Sequence, residues 1–206
     1  MMRMYHKPVL LEQSIIGLKI NPNGIYVDAT FGGGGHSKQI LSKLNSNGQL
    51  IAFDQDQDAI NNKLSDKRLN LFKSNFKYLN NYLNFLQIKK IDGLLADFGI
   101  SSHHIDNKER GFSTRFNSKL DMRMNNSQRI DAKIVVNEYK KDQLEFIFKN
   151  FGEIKNYKKI THKIISERSK NYIKTTDHLK NILKPLTNPK EENKFFAKVF
   201  QAIRIE

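Results

Sequence analysis

Four consecutive glycines, Gly32 to Gly35, lie between the β-prone run Ile25-Tyr26-Val27-Asp28-Ala29 and a segment opening His36-Ser37. A glycine run lets the backbone turn sharply and lets another group approach without Cβ interference. Between a buried strand and a helix N-terminus it makes a pocket of backbone N–H groups, which points to sheets whose strands lead directly into helices. The flanking sequence repeats that alternation. Residues 49–54, 69–73 and 91–97 read as further strands, with helices predicted over 36–44, 58–64 and 76–86. Residues 10–18, ahead of the first strand, read as a helix covering one face. Strands joined by single helices predict a parallel α/β sheet with right-handed crossovers.

Past Asp97 the pattern changes. Residues 98–126 form a polar stretch holding Gly99, Gly111 and several Ser and Asn residues, and loops of that length are usually functional or disordered. From Asp131 onward the signals are helical. Leu144-Phe148-Phe151 and Ile160-Ile164-Ile165 keep helical spacing, Thr176 is the expected cap of a helix holding Leu179, Ile182 and Leu183, and Phe196, Val199, Phe200 and Ile203 form one stripe. The predicted organisation is an α/β part over residues 1–105, followed by a long loop and a helical lobe over 106–206.

Composition narrows the function classes. The chain has no cysteine, which excludes disulfides and thiolate metal sites. No apolar run approaches the ~20 residues of a membrane span, and the first eight residues lack the apolar core of a signal peptide, so a cytoplasmic protein with no membrane partner is expected. Lys and Arg number 35 against 21 Asp and Glu, a net charge of +14. That balance suits a polyanionic partner, although abundant Lys, Asn, Ile and Phe are also what AT-rich coding produces. Between residues 140 and 174 there are ten Lys or Arg and four Asp or Glu. They form either a solvated helix surface or a guide for RNA.

Three ligands compete for the glycines. A triphosphate loop needs Gly, four residues, then Gly-Lys-Ser/Thr, and no such string occurs. The dinucleotide fingerprint Gly-x-Gly-x-x-Gly starts at Gly32 but meets Ser37 at its third position, and started at Gly33 it meets Lys38. S-adenosyl-L-methionine carries no pyrophosphate, so for it the third glycine is dispensable. It needs close backbone approach to its amino-acid end and a carboxylate for its ribose hydroxyls. Asp54, ending the second strand about twenty residues after the glycines, stands where that acceptor belongs, the competing role being a cap on the following turn. Asp97 ends the fourth strand and faces the same crevice, because open α/β sheets bind ligands at the carboxyl ends of their strands. Asp97-Phe98-Gly99 also matches a kinase metal-binding triplet, but no His-Arg-Asp loop precedes it.

Six ordered strings extend across the chain: Tyr5-His6-x-Pro-Val-Leu-Leu, Asp28-Ala29-Thr30-Phe31-Gly32-x-Gly-Gly-His36-Ser37, Asp97-x-Gly-x-Ser101-Ser102, Glu109-Arg110-Gly111-Phe112-Ser113, Leu120-Asp121-Met122-Arg123-Met124 and Phe200-Gln201-Ala202-Ile203-Arg204-Ile205. Together they resemble the bacterial ribosomal RNA small subunit methyltransferase H family. The resemblance implies transfer of a methyl group from S-adenosyl-L-methionine to the exocyclic N4 of a cytidine in the decoding region of 16S rRNA, with the small ribosomal subunit as partner. It implies a class I, Rossmann-like methyltransferase domain, whose N-terminal part is residues 1–105, interrupted by a helical insertion within 106–206. Carried over by motif, Gly34, Gly35 and His36 form the cofactor loop, Asp54 is the ribose-side acid, Phe76 lies by the adenine and Asp97 lines the cofactor. Taken without the resemblance, Phe76 reads as a core helix residue. The family's Ser-Ser-Pro-Gln-Leu-Asp stands here as Ser101-Ser102-His103-His104-Ile105-Asp106, so His104 replaces a glutamine that touches the cofactor. No carboxylate or histidine is spaced to complete a metal site with the His103-His104 pair.

Asp97 is the candidate acceptor for the N4 proton, by partial analogy with amino-methyltransferases that carry Pro-Pro-aromatic after this residue; its alternative role is to hold the cofactor alone. A base flipped into the pocket can stack on Phe112, Phe116 or Arg115, while Arg110 and Arg123 can instead tie the loop down. The family continues past Ile205 into three more strands and a Ser-Phe-His-Ser motif, so the sheet is expected to be incomplete at the C-terminus, in either a fragment or a reduced protein. The alternatives to the rRNA methyltransferase are a truncated, non-catalytic rRNA-binding remnant and an amino-methyltransferase acting on another nucleic acid.

Overall fold

A computed structural model describes residues 8–206, with Ser102 described in its backbone alone. Tyr5 and His6 of the first family string lie outside the described residues. The chain divides into two compact units, the first ending at Ser102 and the second opening at His103.

The first unit is an α/β sheet. Among the described residues its strands are β1 (Ile25–Asp28), β2 (Gln49–Asp54), β3 (Leu69–Lys73) and β4 (Gly93–Leu95), all parallel, in the order β3-β2-β1-β4. Val27 faces Ile51 on one side and Leu94 on the other, so β1 is interior. Alternation along the strands supplies two apolar faces. Tyr26, Leu50 and Ala52 pack with Ile40 and Leu41 of α2 (Gly35–Lys43) and with Ile15 and Leu18 of α1 (Leu11–Leu18). Val27, Ile51 and Phe53 take the other face, under Leu79, Tyr82 and Leu83 of α4 (Leu79–Phe85). A helix layer on each side of a parallel sheet is the class I arrangement expected from the sequence.

Two predicted helices and the fourth strand differ in detail: the strand expected over 91–97 is the three residues of β4, so Asp97 stands two residues beyond its end instead of ending it. The helix expected over 58–64 is one turn, α3 (Gln57–Ile60), because the Asn62 side chain donates to the Asp58 carbonyl at 2.8 Å and draws the chain out of helix. The helix expected over 76–86 begins as a 3-10 turn at Phe76–Tyr78 before α4.

The second unit is helical. Residues 98–126 are not a bare loop: they contain α5 (Ser102–Asp106) and a 3-10 turn at Lys108–Arg110. Then come α6 (Ala132–Glu138), α7 (Lys141–Asn150), α8 (Tyr157–Arg168), α9 (Thr176–Leu183) and α10 (Glu192–Ile205). Phe196, Val199, Phe200 and Ile203 of α10 are buried with Leu144 and Phe148 of α7, Ile160 and Ile164 of α8, and Leu179 of α9. The cap of α9 is Thr175, not Thr176: the Thr175 hydroxyl accepts from the His178 N–H at 3.1 Å. Thr176 is recruited by the preceding loop, its hydroxyl donating to the Phe116 carbonyl at 2.8 Å and accepting from the Ser118 N–H at 2.9 Å.

Candidate functional site

The glycine run turns the chain from β1 into α2. Gly32 and Gly34 sit at φ 53° and 75°, the left-handed region that favours glycine. A Cβ on Gly34 would lie 2.9 Å from the Phe31 ring, whereas one on Gly32 would meet only the Thr30 carbonyl at 3.9 Å. The first requirement is packing beneath the loop. The second leaves the backbone at Gly32 open on its outer side.

Hydrogen bonds knit the strand ends together around this loop. The Phe31 N–H donates to the Phe53 carbonyl and the Ala29 N–H to the Leu95 carbonyl, at 2.9 and 2.8 Å. Asp54 bridges the glycine loop and its own strand end: Oδ2 accepts from the Gly32 N–H at 2.8 Å and Oδ1 from the Asp56 N–H at 2.9 Å. Asp56, not Asp54, caps α3, accepting from the Asp58 N–H. On the other flank the Asp97 N–H donates to Thr30 Oγ1 at 2.7 Å. Because β4 lies on the opposite side of β1 from β2, the strand order reverses between β1 and β4. Open α/β sheets hold ligands at such a switch point.

Beneath the loop is a buried polar pair that sequence reasoning did not single out. Asp28 and Ser37 are fully buried, and Ser37 Oγ donates to Asp28 Oδ2 at 2.7 Å while the Thr30 N–H donates to Oδ1 at 3.0 Å. Burial pushes the Asp28 carboxyl above the ordinary carboxylate range, against the opposing pull of Ser37, the Thr30 N–H and nearby His36. The signal was available in the string Asp28-x-x-x-x-x-x-x-His36-Ser37, which places a carboxylate and a hydroxyl at the two ends of the glycine turn.

His36, in the first turn of α2, is 6% exposed, and its Nε2 has no hydrogen-bond partner among the described residues. A buried imidazole nitrogen without a partner is costly unless another molecule supplies one. Phe76 is not a core residue: it is 38% exposed, and its ring meets Phe98 at 5.3 Å between centroids. Asp97 is exposed, and its carboxylate makes no hydrogen bond or ion pair among the described residues. The structure thus gathers Gly34, Gly35, His36, Asp54, Phe76 and Asp97 in the first unit.

His104 belongs to the second unit, where it is buried with its ring 4.9 Å from that of Phe112. Phe112 is only 2% exposed, so it is a packing residue there and not an open stacking surface. Phe116 is half-buried and already carries Lys108 and Arg115 over its ring, at 5.0 and 5.3 Å. Arg123 folds the loop onto itself, bonding Asp121 at 2.6 Å and the carbonyls of Asn126 and Gln128 at 3.1 and 2.6 Å. Arg110 donates to the carbonyls of Arg123 and Met124. Burial works to raise the Asp121 carboxyl, but the hydrogen bonds and charge of Arg123 outweigh it and hold that carboxyl low.

The model of the MraW methylase family matches residues 3–206. The chain belongs to the MraW methylase family. Among curated proteins it is 53% identical over 202 residues to a ribosomal RNA small subunit methyltransferase H of Christiangramia forsetii, 98% of this chain and 67% of that protein. Proteins of the same name from Flavobacterium johnsoniae and Phocaeicola vulgatus are 52% and 50% identical, the alignments covering 98% and 99% of this chain and 67% of each relative. The chain therefore spans about two thirds of the length of these relatives. Membership in a methylase family agrees with a parallel sheet that carries a glycine loop after its first strand and an acid at the end of its second. No helix among the described residues is long and apolar enough to cross a membrane.

Proposed function

We propose that this protein transfers a methyl group from S-adenosyl-L-methionine to the exocyclic N4 of a cytidine in the decoding region of 16S rRNA, working on the small ribosomal subunit or its RNA. The observation that carries the reading is the buried Nε2 of His36 at the start of α2, without a hydrogen-bond partner among the described residues, beside a loop whose backbone is open at Gly32. Both features fit the polar amino-acid end of the methyl donor, and Asp54 next to them fits its ribose. Gly34, Gly35 and His36 would hold the amino-acid end, Asp54 the ribose and Phe76 the adenine, with Asp97 lining the crevice. His104 is read as a further cofactor contact by its place in the family string. The second unit is read as a helical insertion into the methyltransferase domain.

When bound, S-adenosyl-L-methionine supplies an activated sulfonium methyl. Its transfer needs no metal or covalent intermediate on the protein; the chain's task is to place N4 in line and to accept a proton. The exocyclic amine is a weak nucleophile until that proton leaves, because its lone pair is delocalised into the ring. The Asp97 carboxylate, exposed and unpaired among the described residues, would accept the N4 proton. The Asp97 N–H bond to Thr30 fixes the backbone of this base relative to the glycine loop. In the second unit, Lys155, Lys158 and Lys159 are exposed and make no ion pair among the described residues, unlike Lys163 and Lys170, which share Glu167. Those three lysines are the proposed contact with RNA phosphates.

Calorimetry with S-adenosyl-L-methionine, followed by methylation of purified small subunits and of free 16S rRNA, tests the reading. Binding by the wild type, with Asp97→Asn retaining affinity and losing turnover, is the expected result. Absence of cofactor binding would overturn the enzyme reading for this chain, and lost binding in Asp97→Asn would assign that residue to the cofactor alone.

A further inference from the structure

Phe76 follows β3 and Phe98 follows β4, the two outermost of the described strands. Three strand intervals separate β3 from β4, roughly 14 Å at the backbone. Their rings nonetheless meet, with centroids 5.3 Å apart and planes tilted by 45°. The contact therefore arches over the carboxyl ends of β2 and β1, where Asp54 and the glycine loop lie.

The stems of the arch are fixed while its rings are open. The Asn75 side chain caps the turn that carries Phe76, accepting from the Lys77 N–H at 2.9 Å, and donates to Gln55 Oε1 at 3.3 Å. On the other side the Asp97 N–H is held by Thr30, one residue before Phe98. Neither ring joins the apolar cores of the unit. Phe98 is 70% exposed and Phe76 38%, so two large rings are presented to solvent across a crevice instead of being buried. Exposed apolar groups grouped in this way mark ligand grooves.

We propose that Phe98 is a cofactor-positioning residue that, with Phe76, forms a two-sided aromatic clasp for the adenine of the methyl donor. This rests on the S-adenosyl-L-methionine reading above and adds a second ring to the single one the family strings imply. The adenine is chosen over the target base by position. It hangs from the ribose assigned to Asp54 at the end of β2, and the neighbouring strand β3 leads into Phe76. A purine entering between the rings needs them to part by a few ångströms. The exposure of Phe98 leaves that side-chain rotation free.

The chain has no tryptophan, so Phe98→Trp installs a single fluorophore in the clasp. Its emission is expected to quench saturably on titration with S-adenosylhomocysteine and to stay unchanged with S-ribosylhomocysteine, which keeps the ribose and amino acid but lacks the base. By calorimetry Phe98→Ala is expected to weaken S-adenosylhomocysteine about tenfold, with S-ribosylhomocysteine unaffected. A merely structural role would weaken both ligands equally. Binding of S-adenosylhomocysteine by Phe98→Ala within twofold of wild type, or an unquenched F98W emission while calorimetry records binding, overturns the clasp alone. Quenching by free cytidine and not by S-adenosylhomocysteine overturns the adenine assignment. No binding of S-adenosylhomocysteine by the wild type overturns the methyl-donor reading and the clasp with it.

Discussion

Replacing Ser37 by alanine removes the donor that faces a fully buried carboxylate. Ser37 Oγ lies 2.7 Å from Asp28 Oδ2, and both residues are 0% exposed, so water does not replace the lost bond. A hydrogen bond to a charged group contributes about 1.5–3 kcal/mol, and the alanine methyl fills all but the volume of one oxygen. The expected loss while the carboxyl is ionised is thus about 2 kcal/mol. For a chain of this size a urea slope of roughly 2 kcal/mol per molar converts that into a midpoint lowered by about 1 M, with the slope unchanged. The sign of the pH dependence follows from Asp28. Burial, which disfavours the charge, pushes its folded-state carboxyl above the ordinary carboxylate range. Ionisation therefore costs stability as pH rises from the unfolded value through the raised one. Without Ser37 the charged form loses a partner, so the Ser37→Ala penalty grows with pH and narrows on acidification. In an Asp28→Asn background, where the amide can still donate to Ser37 and accept from the Thr30 N–H, the same change should cost about 1 kcal/mol. Urea melts followed by circular dichroism between pH 4 and 8 measure each quantity. An unmoved midpoint, or a penalty that widens as pH falls, would refute the argument.

Three other outcomes are expected. Gly111 has φ 71°, and a Cβ there would press on the Lys119 carbonyl, so Gly111→Ala should lower thermal stability by about 2–4 kcal/mol, the left-handed strain adding to a backbone clash. The low Asp121 carboxyl contributes stability that is present above its unfolded value near 3.8 and lost as pH falls through the folded one. Wild type but not Arg123→Leu should then show that acid-side loss in melts between pH 5 and 2. Changing Lys155, Lys158 and Lys159 together to alanine should flatten the salt dependence of 16S rRNA binding by about two in log–log slope, given roughly 0.7 per neutralised phosphate on single strands. An unchanged slope would remove these lysines from the RNA face.

The sheet was legible because each of its strands carries a strong local signature. The predicted bounds of 49–54 and 69–73 are those of β2 and β3, and α2 starts where the glycines end. Where prediction slipped, side-chain hydrogen bonds decided the matter. Asn62 ended α3 early, and Thr176 ceded the cap to Thr175 because residues 116–118, some sixty positions away, claimed its hydroxyl. The polar stretch over 98–126 hid α5 because a five-residue helix has too few positions to show a period. At the site, the place of Asp54 at the end of β2 was legible from spacing. The Asp28–Ser37 pair was signalled only by its two positions flanking the glycine turn, and the depth of Asp28 was not legible, since a carboxylate in a short strand carries no local sign of full burial. Phe98 was equally silent, because its contact with Phe76 joins segments twenty-two positions apart that only the strand order brings together.

The order β3-β2-β1-β4 also bears on how the chain is made. Synthesis delivers β1, one of the two interior strands, first. β2 and then β3 add outward along one edge, and β4 adds to the edge left open beside β1. None of these four described strands has to wedge between two that are already paired, so this part of the nascent sheet can close pair by pair as each segment leaves the ribosome. The glycine turn, which lies between the first and second strands to emerge, acquires its Asp54 anchor as soon as β2 docks. A protein proposed to modify ribosomes would thus have its donor loop in place while most of its own helical unit was still being translated.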